Sequence, residues 1–205
     1  YDKLMASSVG KQFKGRIMLL AHLADGSDPA TLTTVSLYKS EAEYETYSNA
    51  LMNDAARTEF LTAIVPISQL VLTGRTDSIQ SWGDINDTDT IWENFYFKVT
   101  DYPAFVAALN AWLASPAGKK FPGQGHLVAI TDGGAAPGAP DTVISVGSAS
   151  IAEREAYGDS LVNDPDWTKY VAASSTASTY LGADLSRVLK TWGPAPMKSL
   201  TAKAQ

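Results

Sequence analysis

The chain has 205 residues, of which 45% are apolar, and its 16 basic and 22 acidic residues give a net charge of −6. This acidic balance, with no basic cluster longer than Lys119-Lys120, argues against nucleic acid or an anionic membrane as a partner, because such binding requires a basic face. The absence of cysteine excludes disulfides, thiolate metal sites and cysteine nucleophiles.

The cellular compartment is indicated only by composition. The apolar runs, such as residues 17–21, are far shorter than the ~20 residues that span a bilayer, so we expect no membrane span. Asp, Asn, Ser, Thr and Gly are abundant. This composition favours an exported protein, either periplasmic or extracellular.

The sequence contains an internal repeat with a constant spacing of 110 positions. A repeat of this length is typical of two copies of one folding unit. We therefore predict a first unit at residues 1–83, a second at residues 84–194 and a tail at residues 195–205. The repeated pairs are Ser40 and Ser150, Glu43 and Glu153, Glu45 and Glu155, Tyr47 and Tyr157, Leu51 and Leu161, Asn53 and Asn163, Asp54 and Asp164, Trp82 and Trp192, and Gly83 and Gly193.

The first unit shows helix and strand signals but no opening strand. Ser40 and Glu43 form a capping box that marks a helix start, and residues 68–79 are predicted to be the closing strand. Residues 6–15 match residues 114–123 at a spacing of 108, so residues 1–8 correspond to the end of a helix. We expect either that the natural chain begins upstream, with a first strand and a leader, or that the first unit has three strands.

The second unit supplies a complete set of elements. Its predicted strands are residues 92–99, 126–131, 142–146 and 178–189, and its predicted helices are residues 104–114 and a pair beginning at Ser150 and Pro165. A Gly/Pro/Ala loop is predicted at residues 132–140. The order βαββαβ is that of a ferredoxin-like unit. The predicted fold class is α+β, with two tandem ferredoxin-like units whose antiparallel sheets pack face to face.

This order, with Asn-Asp-Pro-Asp-Trp at residues 163–167 on the second helix and a strand after it, resembles the dimeric α+β barrel superfamily. That group includes antibiotic-biosynthesis monooxygenase-like and NIPSNAP-like proteins, and the resemblance covers nearly the whole chain. It implies that two units close one barrel within the chain. The superfamily contains cofactor-free oxygenases, haem degraders, isomerases and proteins of unassigned activity, so the fold does not determine the activity.

Two histidines, His22 and His126, lie on or beside the predicted second strands. Imidazole titrates near neutral pH, which suits a general base or a haem ligand facing the barrel. The alternative is a sheet histidine with a satisfied hydrogen bond. No His-x-His or His-x-x-x-His spacing occurs, so no dedicated metal site is predicted, and no cofactor is expected.

Polar and aromatic residues on the predicted strands are the other candidates. Alternate residues of a strand face opposite sides, so the more polar set on residues 92–99 is expected to face the cavity and the apolar set to cover the helices. Repeated residues, including Trp82 and Trp192, are assigned to the scaffold, and functional residues are expected where the copies differ. The predicted ligand-binding residues are His126, Tyr96, Asn94, Tyr180, Arg75 and Tyr38.

These features support three functions. The first is noncovalent binding of a small apolar or aromatic molecule in the barrel cavity. The second is a cofactor-independent monooxygenase or isomerase that uses a histidine or tyrosine for proton transfer. The third is a structural or assembly subunit, a homo-oligomer for example, whose open sheet edge accepts a strand. The sequence leaves open whether the chain is an enzyme.

Overall fold

The computed structural model of the protein describes residues 1–24, 30–70, 73–132 and 138–200. Most of the loop predicted at residues 132–140 lies outside the described residues. The strands of the described part are β1 Arg16–Ala24, β2 Leu32–Leu37, β3 Arg75–Gly83, β4 Ile91–Val99, β5 Gln124–Asp132, β6 Thr142–Ser148 and β7 Ser178–Trp192. The α-helices of the same part are α1 Asp2–Ala6, α2 Glu41–Met52, α3 Ala55–Ile64, α4 Tyr102–Ala114, α5 Ile151–Leu161, α6 Pro165–Ala177 and α7 Met197–Leu200.

The helix starts predicted from the sequence have the expected local chemistry. The Ser40 hydroxyl accepts a hydrogen bond from the Glu43 backbone N–H, and the Glu43 carboxylate accepts one from the Lys39 N–H. At the start of α5, the Ser150 hydroxyl likewise accepts from the Glu153 N–H, and the Glu153 carboxylate accepts from the Ala149 N–H. These bonds satisfy amides that would otherwise lack a partner in the first helical turn.

The strands form one curled antiparallel sheet with the order β2-β1-β7-β4-β6-β5-β3. The order β7-β4-β6-β5 is the ferredoxin-like arrangement predicted for the second unit, and the predicted α+β class is confirmed. The strands of the two units belong to one sheet rather than to two, because β7 pairs with β1 and β3 pairs with β5. The unit boundaries at residues 83 and 194 stay a prediction.

The closing strand of the first half is shorter than predicted. The prediction placed a strand at residues 68–79, but residues 65–67 form a 3-10 helix and β3 begins only at Arg75. Its counterpart β7 is a strand from Ser178, and residues between Ser178 and Arg187 pair with β4, with one register shift next to Gly182. The first half has no strand in the position of β4 among the described residues, so the backbone before Arg75 lacks a pairing partner.

Helices cover one face of the sheet. On the helix side of the second unit, a buried cluster includes Phe105, Leu109 and Leu127, which are almost fully buried, together with partly buried residues of β4. A smaller cluster around Phe13, Ile17 and Tyr47 lies between the first-half helices and β1. Glu93 and Phe97 of β4 contact helices α5 and α4, so the alternate residues of β4 point to the other side. We call that side, opposite the helices, the inner face.

Candidate inner-face site

A row of polar side chains crosses the inner face through five adjacent strands. Asp184 on β7 lies directly opposite Asn94 on β4, which lies opposite Ser145 on β6. Ser145 lies opposite His126 on β5, and His126 opposite Ser81 on β3. Because directly opposed residues of antiparallel strands bring their side chains together, these five residues form one connected band, here called the polar row.

Asp184 is the acceptor at one end of the polar row. Its carboxylate accepts hydrogen bonds from the Asn94 amide at 2.8 Å and from the Tyr96 hydroxyl at 2.5 Å. The Ser145 hydroxyl donates to the other end of the Asn94 amide, at 2.6 Å. Asp184 is buried, and a buried carboxylate is tolerated when it is hydrogen-bonded in this way. The network fixes the orientation of Asn94 and Tyr96.

His126 lies at the other end of the polar row and is only 7% exposed. Its Nδ1 is 2.9 Å from the Ser81 hydroxyl, and its ring stacks on Trp92 with a centroid separation of 5.6 Å. Its Nε2 is buried without a hydrogen-bond partner. Burial lowers the pKa of His126 to about 4, so the imidazole is neutral at neutral pH. A neutral imidazole with one unpaired nitrogen can accept or donate a proton, depending on its tautomer.

The part of the inner face that the first unit contributes carries apolar residues beside Trp92. Met18 and Leu20 of β1 are buried against Trp92, and neighbouring β2 and β7 residues pack on them. At the 110-residue spacing, Val35 of β2 occupies the place that Ser145 has on β6. The inner face therefore combines a polar half, mainly from the second unit, with an apolar half from the first. Trp92 lies at the boundary between them.

A cleft of about 240 Å³ opens beside the apolar half, between the start of β1 and the end of β7. Arg16 and Asp87 form an ion pair of 2.8 Å at its wall, and Met18, Trp92 and Met197 contribute apolar surface. Trp92 is the residue that this cleft and the His126 environment share. The cleft therefore reaches the edge of the inner-face site rather than its polar row.

The structure brings together three of the predicted site residues, Asn94, Tyr96 and His126, and places the other three elsewhere. Tyr180 is exposed and contacts Phe97 on the helix side of the sheet. Arg75 lies 2.8 Å from the Glu41 carboxylate of α2. Tyr38 lies one residue beyond β2 and packs in the helix-side cluster of the first half, where burial raises its pKa to about 12.

Three residues of the polar row, Asp184, Ser145 and Ser81, were not predicted from the sequence. All three lie at positions where the copies differ, since Asp184 corresponds to Gly74, Ser145 to Val35 and Ser81 to Thr191. A systematic search of such differences could have found them. The other histidine, His22, has its Nε2 2.7 Å from the Thr33 hydroxyl.

The residues assigned to the scaffold have structural contacts. Trp82 packs against the helix-side core of the second half, and the Trp192 indole donates a 2.7 Å hydrogen bond to Asp2. Across the described ranges, no three His, Asp or Glu side chains are grouped as metal ligands would be. In the same ranges, no helix is long and apolar enough to cross a bilayer.

Comparison with known proteins gives a structural likeness only. No family model and no curated protein matches the chain. An anthrone oxidase-like protein superposes with a TM-score of 0.57 at 12% identity, over 93% of this chain and 84% of its own. The chain has the fold of the dimeric α+β barrel superfamily.

Two further barrel proteins of known structure are similar to the chain. One, from Lactobacillus acidophilus and described as a candidate monooxygenase, has a TM-score of 0.56 and 11% identity, over 95% of this chain and 87% of its own. The other, a candidate monooxygenase from Fusobacterium nucleatum, has a TM-score of 0.58 and 12% identity, over 95% and 85%. At these identities the likeness establishes the fold and leaves the chemistry to the residues of this chain.

Proposed function

We propose that the inner face binds a small, largely aromatic molecule that carries a polar substituent. The observation that carries this proposal is the Nε2 of His126, which is buried and unpaired in a ring that stacks on Trp92. A buried polar atom without a partner costs free energy that a ligand hydroxyl or carbonyl would recover. The apolar half, with Met18, Leu20 and Trp92, is suited to the rest of such a ligand.

The monooxygenase function is the second candidate, favoured by the buried Nε2 of His126, which has no hydrogen-bond partner and can accept a proton in one tautomer. A neutral imidazole can take a proton from an acidic C–H or O–H of an aromatic ketone or phenol. The resulting carbanion would form a C–O bond with O2. For a methylene carbon, loss of the second C–H proton with cleavage of the O–O bond gives a ketone and releases water. O2 is the four-electron oxidant in this scheme. The similar fold of proteins named as monooxygenases and as an anthrone oxidase-like protein supports it.

Anthrone is a suitable probe because it is an aromatic ketone with an acidic methylene group. Binding is measured by quenching of tryptophan fluorescence, and turnover by oxygen uptake. We expect His126→Gln to raise the dissociation constant about tenfold, because the loss of one hydrogen bond worth about 1.4 kcal/mol changes that constant by a factor of ten. We expect it to lower oxygen uptake by at least ~100-fold. His22→Gln is the matched control and is expected to leave both values unchanged.

The two functions give different results. Binding without oxygen uptake in the unsubstituted protein would eliminate the oxygenase and leave the binding function. Oxygen uptake that survives in His126→Gln would eliminate the histidine mechanism. Absence of binding by anthrone and by a phenolic analogue such as anthrol would contradict the proposal for the inner face as a whole.

A further inference from the structure

The apolar half of the inner face is covered, so a ligand reaches it only if part of the cover moves. Met18, Leu20 and Trp92 are 6%, 5% and 5% exposed. Met197 of α7 is buried in the same cluster and is 3% exposed. Its side chain thus occupies apolar surface that the proposed function assigns to a ligand. We call residues 193–200, which carry Met197 over this surface, the flap.

The flap begins at a glycine turn that has a counterpart after β3. Gly193 has a φ of +99° and Gly83 has a φ of +79°, a left-handed conformation that glycine adopts readily. A side chain at either position would collide with a backbone carbonyl oxygen, that of Gly15 or of Gly123. The segment after Gly83, residues 84–90, leads into β4 and is here called the linker. At the 110-residue spacing, the flap and the linker are counterparts that leave the sheet through the same turn.

The flap and the linker meet at one carboxylate. The Met197 backbone N–H donates a 2.9 Å hydrogen bond to Asp87 Oδ1, and Arg16 Nη1 lies 2.8 Å from the same oxygen. Asp87 forms part of the wall of the 240 Å³ cleft, and Met197 and Trp92 line that cleft as well. The cleft is therefore space that remains between the flap, the linker and the sheet. Displacement of the flap would join the cleft to the apolar half of the inner face.

Buried hydrogen bonds attach the linker to the sheet. The Gln124 side-chain amide donates 2.9 Å hydrogen bonds to the Asn86 carbonyl and to the Asp89 carboxylate. Both Gln124 and Asp89 are buried. The Thr90 N–H donates to the carbonyl of Ser148 at the end of β6. Hydrogen bonds in such positions open only together with the structure around them, so the linker is the fixed part of the cover.

The flap is attached more weakly than the linker. Among residues 193–200, Met197 is the one buried residue. The Ala195 N–H donates to the Gly15 carbonyl over 3.4 Å, beyond the ordinary range of about 2.7–3.2 Å. Helix α7 has four residues, which is too short for a helix to be stable without tertiary contacts. The flap is therefore the part of the cover that opens most readily.

We propose that the flap turns outward about Gly193 and that the ligand replaces Met197 on the apolar half of the inner face. This inference rests on the proposed function, because it concerns access to the same site. Met197 acts as an internal competitor of the ligand. The apparent affinity is then reduced by the fraction of protein whose flap is open, since only the open form binds.

Hydrogen exchange of the protein without ligand tests whether the flap opens by itself. We expect the protection factor of the Met197 amide to be at least ~100-fold lower than that of the Thr90 amide in the linker. We expect Met197→Ala to speed exchange of the Trp92 indole N–H about tenfold, because this N–H is buried without a hydrogen-bond partner. Met52→Ala is the matched control, since Met52 is 58% exposed at the end of α2. It is expected to leave the indole exchange unchanged.

Ligand binding is the second measurement. We expect Met197→Ala to lower the dissociation constant of anthrone about tenfold, because the competing side chain is removed. Met52→Ala is expected to leave that constant unchanged. In methyl NMR spectra of the unsubstituted protein, saturating anthrone is expected to move the Met197 signal towards that of the exposed Met52.

The outcomes separate the flap from the binding function. Equal protection of the Met197 and Thr90 amides, which needs no variant, or equal indole exchange in the two variants would overturn the proposal. Anthrone binding that is unchanged or weaker in Met197→Ala would also overturn it, because the ligand would then not replace Met197. Absence of binding by anthrone and anthrol, together with faster indole exchange in Met197→Ala, would contradict the proposed function and support the flap.

Discussion

The buried imidazole of His126 is expected to make the folding stability depend on pH in a defined window. Its pKa is about 4 in the folded protein, against an ordinary value of 6.5, because burial disfavours the charged form. The unfolded chain therefore binds a proton at a higher pH than the folded chain does. The contribution of the neutral imidazole to the free energy of unfolding is fully present above pH 6.5. It decreases as the pH falls from 6.5 to about 4.

The magnitude follows from the size of the shift. Each pKa unit corresponds to about 1.4 kcal/mol, so a shift from 6.5 to about 4 removes roughly 3 kcal/mol of the free energy of unfolding. Two carboxylates with lowered pKa values, Asp2 and Asp141, act at lower pH. Their contributions are present above the ordinary value of 3.8 and are lost below it. The pH range in which His126 affects stability is thus largely separate from the range in which the two carboxylates do.

The assay is urea denaturation followed by tryptophan fluorescence, in steps from pH 6.5 to pH 4. We expect His126→Gln to remove most of the pH slope and His22→Gln to retain it, because the latter variant keeps His126. Because the chain has two histidines, NMR titration of their ring protons measures the pKa of each directly. A His126 ring that titrates near 6.5, or equal slopes in the two variants, would refute the reasoning.

Three further substitutions and one control test the scaffold by urea denaturation at neutral pH. Asp184→Asn is expected to cost about 1–3 kcal/mol, because it replaces an acceptor of two hydrogen bonds by an amide. Gly125→Ala is expected to cost about 1–3 kcal/mol, since its new methyl group would overlap the Trp82 indole. Gly158→Ala is the matched control in open space on a helix and is expected to stabilise by about 0.5–1 kcal/mol. Leu109→Ala is expected to cost about 2–5 kcal/mol, because Leu109 is almost fully buried.

Each of these expectations has a contrary result. An unchanged midpoint in Asp184→Asn would mean that the carboxylate does not organise the polar row. Equal effects of the two glycine substitutions would contradict the close approach at Gly125. A loss below ~1 kcal/mol for Leu109→Ala would contradict its place at the centre of the second-half core.

Local chemistry explains how much of this fold could be predicted. The capping boxes at Ser40 and Ser150 act within four residues, and the alternation of β4 is a property of one strand. These elements could be predicted from sequence alone. The start of β3 could not be, because the backbone before Arg75 becomes a strand only if a neighbouring strand pairs with it.

The candidate site shows the same division. The alternation of β4 placed Asn94 and Tyr96 on one face, as observed. Asp184 is hydrogen-bonded to Asn94 and Tyr96, and Ser81 to His126. These contacts depend on which residues of distant strands lie opposite each other. A shift of one residue in either register would send these side chains to the helix face.

The sequence by itself determined the kinds of element, their order and the α+β class, because those depend on signals a few residues apart. Only the tertiary structure decided that the strands of the two halves join into one curled sheet with its polar row on the inner face. It also decided that Arg75 and Tyr38 lie away from the inner face. Strand order and register depend on contacts between residues far apart in the sequence, such as Ile17 with Trp192 and Asn94 with Asp184, and no local pattern specifies those contacts.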